Sequence, residues 1–403
     1  MSPSDSARHG ILGDADVRHL VELRRDLHRH PELSWKETRT AARLEQELAA
    51  LGVTDLCRVA GTGIVARIPG ERRDAPVVAI RGDIDALPIA EATGLPYASE
   101  APGVMHACGH DVHATWTVGA AMLLSRVPAR GDVLIVLQPA EEVGQGARAM
   151  LESGALDTVR AIFGGHVDRR FAVGQVVAQP GPLAASTDTF DIELLGSGAH
   201  GARPHESADP VIGLAALVTA LQTIVSRRLD PALPGVVTVG TVQAGTAPNI
   251  IPDRARLSGT IRATTPESRT LLTSELHRMA ESVAATHGLA ANITLRDGTP
   301  PVLNDADAAA WAQTAVTAVL GPAALVPLGT VNMGGEDFAY YQERVPGCFM
   351  RIGAREPGGE RTPAHSTRFH AAEGAIAIGA MVLAESARVA SAALTGRGAT
   401  SPG

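Results

Sequence analysis

The chain has 403 residues, of which 45% are hydrophobic and 19% are charged, as is usual for a folded globular protein. This length predicts about two to three domains. A formal net charge of -8, with no run of Lys and Arg, argues against a nucleic-acid partner. The three cysteines are widely spaced and the chain starts without an apolar signal segment, so we expect a reducing, cytoplasmic location.

The first half of the sequence alternates between helical and strand patterns. Apolar residues recur at helical spacing between Gly13 and Gly52, and the pair His30-Pro31 interrupts them, which predicts two helices. The predicted strands then begin at residues 63, 77, 132 and 161, and helices between them span 111–126 and 145–153. Continuous apolar runs between helices favour a mostly parallel α/β sheet with helices on both faces.

The pattern changes near Pro180. Apolar and polar residues then alternate, as in half-solvated antiparallel strands, and amphipathic helices separate these strands. The strands span 187–195, 236–243 and 255–263, and the helices span 209–228 and 266–286. After Pro301 the first pattern resumes. We therefore predict a catalytic α/β domain, residues 1–183 and 301–403, interrupted by a smaller α+β domain, residues 184–300.

Two long apolar stretches begin at Val211 and Gly374. Each is shorter than the roughly 18 uninterrupted apolar residues that a membrane-spanning helix needs. We therefore expect two buried core helices and no membrane partner.

The segment HACGHDVH, residues 106–113, directly precedes a predicted helix. Cys108 and His110 are residue types that zinc-like ions prefer, and Gly109 between them permits a tight turn that brings both to one site. A buried cysteine beside surface histidines fits the same segment. A zinc finger does not, because no second pair of ligands follows at finger spacing.

Acidic residues and a histidine follow three of the predicted strands. Glu141 and Glu142 come just after one strand, His166 ends the next, and Asp83 and Asp85 follow the strand that begins at residue 77. Ligands bind at the carboxyl ends of strands in open α/β sheets. One glutamate can hold a metal ion while its neighbour faces a water, although a solvated acidic loop is the commoner fate of such a pair.

Further histidines lie later in the chain. His200 and His205 lie in a glycine-rich turn, and Asn249 follows in the same predicted domain. Facing a cleft, these side chains can donate hydrogen bonds to an anionic oxygen; on an open surface they would have no such role. The turn contains a nominal dinucleotide-binding pattern, but neither a helix start nor an acidic residue follows at the required distance. His365, near the end, is a candidate ligand or a structural histidine.

Nine motifs in this order resemble the N-acyl-amino-acid amidohydrolase family. The motifs are RRDLHRHPELSWKE (24–37), RGDIDALPI (81–89), HACGHDVHA (106–114), LQPAEE (137–142), GGHV (164–167), GAHGARPHESADPV (198–211), APNIIPD (247–253), GGEDFAYY (334–341) and AHSTRF (364–369). This family includes aminoacylases, hippurate hydrolase and auxin-conjugate hydrolases, and is a branch of the aminoacylase and carboxypeptidase metallopeptidases. The resemblance covers roughly residues 12–390.

The resemblance implies two divalent metal ions per subunit. Cys108 matches the bridging ligand, Glu142 and His365 match the ligands of one ion, and His110 and His166 match those of the other. Asp83 and Asp85 match an acidic pair behind the metals. The donor set suits zinc, but manganese, cobalt and nickel also accept such ligands.

The resemblance also assigns roles outside the ligand set. Glu141 matches the general base, and His200 matches a histidine that stabilises the transition state, often in the active site of the partner subunit. Asn249 and Arg262 match residues that contact the carboxylate or oxyanion of the substrate. The smaller domain is then a lid that also forms a homodimer or a higher homo-oligomer.

The implied activity is hydrolysis of the amide bond of small N-acyl amino acids by a metal-activated water, with release of a carboxylic acid and a free amino acid. Two alternatives remain open. A dipeptidase or carboxypeptidase would use the same two-metal site and differ only in the pocket. A non-catalytic metal-binding scaffold would keep the fold without needing Glu141.

Overall fold

The computed structural model describes residues 12–398. The α-helices of this part of the chain are α1 (Asp14–Arg29), α2 (Thr38–Ala50), α3 (His110–Arg126), α4 (Gly146–Glu152), α5 (Pro210–Arg227), α6 (Pro266–Thr286), α7 (Ala306–Leu320), α8 (Ala339–Gln342) and α9 (Gly374–Gly398). The strands are β1 (Leu56–Val59), β2 (Gly63–Ile68), β3 (Val77–Asp83), β4 (Val133–Gln138), β5 (Val159–Ala172), β6 (Val176–Val177), β7 (Gly181–Ala184), β8 (Asp188–Leu195), β9 (Ala199–His200), β10 (Gly235–Ala244), β11 (Ile250–Ile251), β12 (Arg254–Ala263), β13 (Ala290–Arg296), β14 (Val302–Asn304) and β15 (Gly347–Arg355).

The chain forms two compact units. The larger unit contains Met1–Gly181, Leu303–Gly329 and Tyr340–Gly403, and the smaller contains Pro182–Val302 and Thr330–Ala339. The boundaries predicted from the sequence assigned everything after residue 300 to the larger domain, whereas residues 330–339 group with the smaller unit.

The larger unit is built on a seven-stranded sheet with the order β1-β2-β4-β3-β5-β15-β6. Its four central strands, β4, β3, β5 and β15, are parallel, and the pairs toward both edges are antiparallel. Every residue of β4 is buried, because its continuous apolar run VLIVLQ lies within the core. The arrangement confirms the predicted α/β fold with a mostly parallel sheet.

The helices α5 and α9 are long and apolar enough to cross a membrane by length and composition alone. In α9, Ile376, Val382 and Leu383 are buried within the main hydrophobic core, as predicted for a core helix. The prediction is only half right for α5. One face of α5 is buried, but Val211 and Ile212 on its first turn are exposed.

The smaller unit contains a four-stranded antiparallel sheet with the order β10-β12-β8-β13, which packs against α5 and α6. Burial alternates along β8, so one face of the sheet contributes to a second hydrophobic core. The edge strand β10 is mostly exposed. The sequence analysis predicted three of these strands but not β13, whose alternation is confined to seven residues.

Candidate metal centre

Three parallel strands and one helix deliver polar side chains to one region of the larger unit. Strand β3 ends at Asp83, β4 ends three residues before Glu141, β5 carries His166, and α3 begins at His110. The residue before α3, Gly109, has φ of +91° and leaves no room for a side chain, since a Cβ there would lie 2.4 Å from Val167. This turn brings Cys108 and His110 to the same place.

The five predicted ligands lie together. Their ligand atoms, with one oxygen of Glu141, form overlapping groups of three in which all atoms lie within 4.8 Å of one another; the groups are Cys108–His110–His166, Cys108–Glu142–His365 and His110–Glu141–Glu142. Sγ of Cys108 lies 3.2 Å from Nε2 of His166, and Nε2 of His365 lies 3.5 Å from Oε2 of Glu142. Cys108, His110 and Glu142 each belong to two of these groups, and Cys108 lies with the other predicted ligands of both ions, as a bridging ligand would.

Hydrogen bonds on the far side of two rings set which nitrogen faces this cluster. Nδ1 of His110 lies 3.1 Å from Oδ1 of Asp85, and Nδ1 of His166 lies 2.7 Å from the carbonyl oxygen of Val167. Because both partners are acceptors, the ring protons reside on Nδ1. The Nε2 lone pairs therefore point into the cluster, and this is how proteins orient histidine ligands of metals.

Within the described residues, two ligand atoms of the cluster lack a hydrogen-bond partner, and several acidic groups lie close together there. Nε2 of His110 and Oε1 of Glu142 are buried and have no hydrogen-bond partner among residues 12–398. Burial, together with Asp85 and Asp83, raises the pKa of Glu142 to about 7. Burial and the charge of Glu142 raise the pKa of Cys108 well above its usual value. Bound cations would satisfy these atoms and balance the charge, so the donor set fits a metal centre.

Asp85 supports the cluster from behind. Its Oδ1 accepts a hydrogen bond from Nδ1–H of His110, while its Oδ2 accepts hydrogen bonds from the backbone N–H of Glu142 at 3.0 Å and from the hydroxyl of Ser34 at 2.7 Å. One carboxylate therefore fixes two candidate ligands from different elements.

Asp83 acts through a histidine that the sequence analysis did not select. Nε2 of His113 accepts a hydrogen bond from the N–H of Val167 at 2.9 Å. Nδ1 therefore carries the ring proton and donates a hydrogen bond to Asp83 at 2.6 Å. The ring also stacks on Trp116. His113 thereby fixes the strand beside His166. Its position three residues after His110, on the same helix face, was the available signal.

Glu37 is a second supporting residue that the sequence analysis missed. Its Oε1 accepts the N–H of Ala140 at 2.9 Å, and its Oε2 accepts the hydroxyl of Thr62. Ala140 precedes Glu141 and has φ of +53°, a conformation that is costly for any residue except glycine. Glu37 thus stabilises the strained turn that presents Glu141. The signal was its place in the SWKE motif.

His365 also adopts an unusual backbone conformation, with φ of +63°. Its N–H donates to the carbonyl oxygen of Ala107 at 2.8 Å, which ties the segment to the residue before Cys108. Its side chain is about half exposed, at 54%. Strained residues of this kind concentrate at functional sites.

The remaining predicted residues lie in the smaller unit. His200 on β9 pairs with Ile250 on β11, which brings His200 and the exposed Asn249 to the same end of the sheet. His205 follows in an exposed 3-10 turn, Pro204–Glu206. Arg262 lies eight residues along β12 from Arg254, which corresponds to about 26 Å of strand. Arg254 lines the same cavity as His200, so Arg262, at the other end of the strand, lies far from His200 within one protomer.

Several known proteins are similar to this chain in sequence. A family model described as Peptidase family M20/M25/M40 matches residues 79–388. The chain is 42% identical to an N-acetylcysteine deacetylase of Bacillus subtilis, over 83% of this chain and 88% of that protein. It is 37% identical to IAA-amino acid hydrolase ILR1-like 2 of Arabidopsis thaliana, over 91% of this chain and 84% of that protein.

A solved structure is similar over nearly the whole chain. The Bacillus subtilis YXEP protein, described as a dinuclear metal-binding peptidase from the M20 family, shares 38% identity and superposes with a TM-score of 0.83. The match covers 94% of this chain and 99% of that one.

Proposed function

Because the chain belongs to peptidase family M20/M25/M40, whose members include metal-dependent amidohydrolases, we propose that it hydrolyses the amide bond of N-acyl amino acids to a carboxylic acid and a free amino acid. The observation that carries this proposal is the cluster of five predicted ligand residues with a further carboxylate, Glu141, beside it. The deacetylase and the IAA-amino acid hydrolase among its relatives support this substrate class.

Two divalent cations fit the donor set. One would be held by Cys108, His110 and His166, and the other by Cys108, Glu142 and His365. When bound, such ions polarise the amide carbonyl and lower the pKa of water.

Glu141 is the proposed general base. Its side chain is largely shielded, at 11% exposure, and Oε2 lies 3.8 Å from Nε2 of His110. A carboxylate in this position takes the proton from the attacking water and passes it to the nitrogen of the departing amine, which leaves as a free amino acid. The strained turn at Ala140, which Glu37 stabilises, presents both glutamates: Glu141 as the proposed base and Glu142 as a proposed ligand.

His200 is the proposed donor to the oxyanion that forms on the carbonyl oxygen. Its Nδ1 accepts the N–H of Ala202 at 3.0 Å, so in the neutral ring the proton resides on Nε2. A preset N–H donor of this kind stabilises developing negative charge without having to reorient. Asn249 at the same end of the sheet is a second candidate donor, and His205 is a third.

We propose that the protein works as a homodimer joined through its smaller unit. Arg262 and His200 are too far apart in one protomer to contact the same small substrate, so one of them would come from the second subunit. The exposed edge strand β10 and the exposed Ile212 on α5 offer unpaired backbone and apolar surface for this contact.

We also propose a cytoplasmic location, because the three cysteines are free, as expected in a reducing compartment.

A substrate panel tests the proposed function. Chelator-treated protein is incubated with N-acetyl, N-benzoyl and longer N-acyl amino acids and with dipeptides, with and without zinc, manganese, cobalt or nickel, and free amino acid is measured. We expect metal-dependent release from N-acyl amino acids. Cleavage of dipeptides alone would favour a dipeptidase, and no cleavage by the metal-loaded protein would contradict the proposal.

A further inference from the structure

Trp35 differs from the two other tryptophans of the chain. Trp116 and Trp311 are buried at 0% and 8% exposure, whereas Trp35 is 41% exposed. It also has φ of +66°, a conformation that is strained for a bulky residue. An exposed indole held by a strained backbone contributes little to the core, so its position needs another explanation.

The segment that carries Trp35 is tied to the turn that carries Glu141. The N–H of Trp35 donates to the same oxygen of Glu37 that accepts the N–H of Ala140, at 3.0 and 2.9 Å. The indole Nε1–H donates to Oε1 of Gln145, at 3.3 Å. Ser34, the residue before Trp35, donates to Asp85. These contacts hold the indole beside the loop of the metal centre.

The same loop exposes a second apolar side chain. Val143, which directly follows Glu142, is 50% exposed. An N-acyl amino acid has one end with a negative carboxylate, which requires cationic or N–H partners, and one uncharged end, the acyl group. Trp35 and Val143 offer only apolar surface and suit the uncharged end.

We propose that Trp35 and Val143 form an apolar wall that binds the acyl group, and that this wall makes the enzyme prefer aryl or longer alkyl acyl groups to acetyl. The inference rests on the proposed function, because it deepens the substrate class of that site. Trp35 is then a specificity-determining residue.

The test compares Trp35→Ala, Trp35→Phe and Val143→Ala with the wild type, each loaded with metal. The ratio of kcat/KM for N-benzoyl over N-acetyl derivatives of one amino acid is measured. For Trp35→Ala we expect this ratio to fall about 10-fold or more. For Trp35→Phe, which keeps an apolar ring but loses the bond to Gln145, we expect most of the preference to remain. Val143→Ala should lower the ratio less than Trp35→Ala, because it removes less surface.

Changing the amino acid at constant acyl group is the internal control. Trp35→Ala should shift the preference among acyl groups and leave the preference among amino acids as in the wild type. A shift in the amino-acid preference instead, or an unchanged acyl ratio, would overturn the inference. If the wild type itself cleaves no N-acyl amino acid, the proposed function has failed and not merely this inference.

Binding provides a readout apart from turnover. Octanoate or benzoate, the carboxylate products, should change the emission of the exposed indole when titrated into wild-type enzyme. The change should disappear in Trp35→Phe, while inhibition by octanoate persists. If octanoate inhibited Trp35→Ala at the same concentration as it inhibits the wild type, that result would also contradict the proposed wall.

Discussion

The candidate catalytic residues of the two units differ in how they are held. In the larger unit, Cys108 and His110 are buried and Glu142 and His166 are partly buried. Asp85, His113 and Glu37 fix their neighbours through hydrogen bonds. In the smaller unit, His200, His205 and Asn249 are exposed. The candidate ligands of the metal centre therefore come together within one protomer, whereas the proposed oxyanion donors would act on substrate through the proposed dimer.

The largest effect is expected at Glu141. Glu141→Gln keeps the shape of the side chain but removes the base, so kcat should fall about 100-fold to 10,000-fold while metal content stays at the wild-type level. Turnover and metal analysis of the same sample test this. Glu152→Gln, an exposed carboxylate on α4, is the matched control and should behave as wild type. Full activity of Glu141→Gln would remove Glu141 from the mechanism.

Removing the proposed oxyanion donor should have the next largest effect. His200→Ala should lower kcat by about 100-fold to 1,000-fold without changing metal content, because the residue lies outside the metal centre. His287→Ala, in the same unit, serves as the control. A loss of metal in His200→Ala would contradict the role of His200 as a residue that holds no metal ion.

Mixing two inactive variants sharpens this prediction. In a random mixture of Glu141→Gln and His200→Ala subunits, about one site in four would combine an intact Glu141 with the intact His200 of the other subunit. Activity near that level is expected if His200 acts across the dimer. If each protomer uses its own His200, the mixture stays inactive.

The smallest effect is expected at Asp85, which supports two of the predicted ligands by hydrogen bonds. Asp85→Asn weakens the orientation of His110 and Glu142, so metal affinity should fall about 10-fold to 100-fold. Competition with a coloured chelator measures this affinity. Asp55→Asn, at an exposed aspartate bound to Arg67, is the control. Equal affinities for Asp85→Asn and the wild type would show that the centre does not need this support.

Much of the larger unit could be predicted from the sequence. Buried parallel strands leave continuous apolar runs, and the carboxyl ends of these strands meet at one edge, so Glu142 and His166 could be placed near each other without a structure. Spacing alone did not distinguish a metal ligand at Cys108 from a buried cysteine. The ordered motifs made that distinction.

The sequence could not reveal the contacts that support the ligands, or the distance between Arg262 and His200 in the smaller unit. Glu37 acts on Ala140 across 103 residues of chain, and no local pattern reports that bond. The positive φ of Ala140 could not be predicted, because a glycine indicates such a conformation and an alanine does not. The resemblance assigned the same role to Asn249 and Arg262, but Asn249 lies beside the strand that pairs with His200, whereas Arg262 lies near the far end of β12.

Titrating a cation into chelator-treated protein tests the central claim most directly. Metal bound per chain and release of free amino acid from an N-acyl amino acid are measured in the same samples. The assembled centre predicts that activity reaches its maximum when two cations are bound per chain. Full activity without a cation, or a chain that binds two cations and cleaves no N-acyl amino acid, would contradict the account.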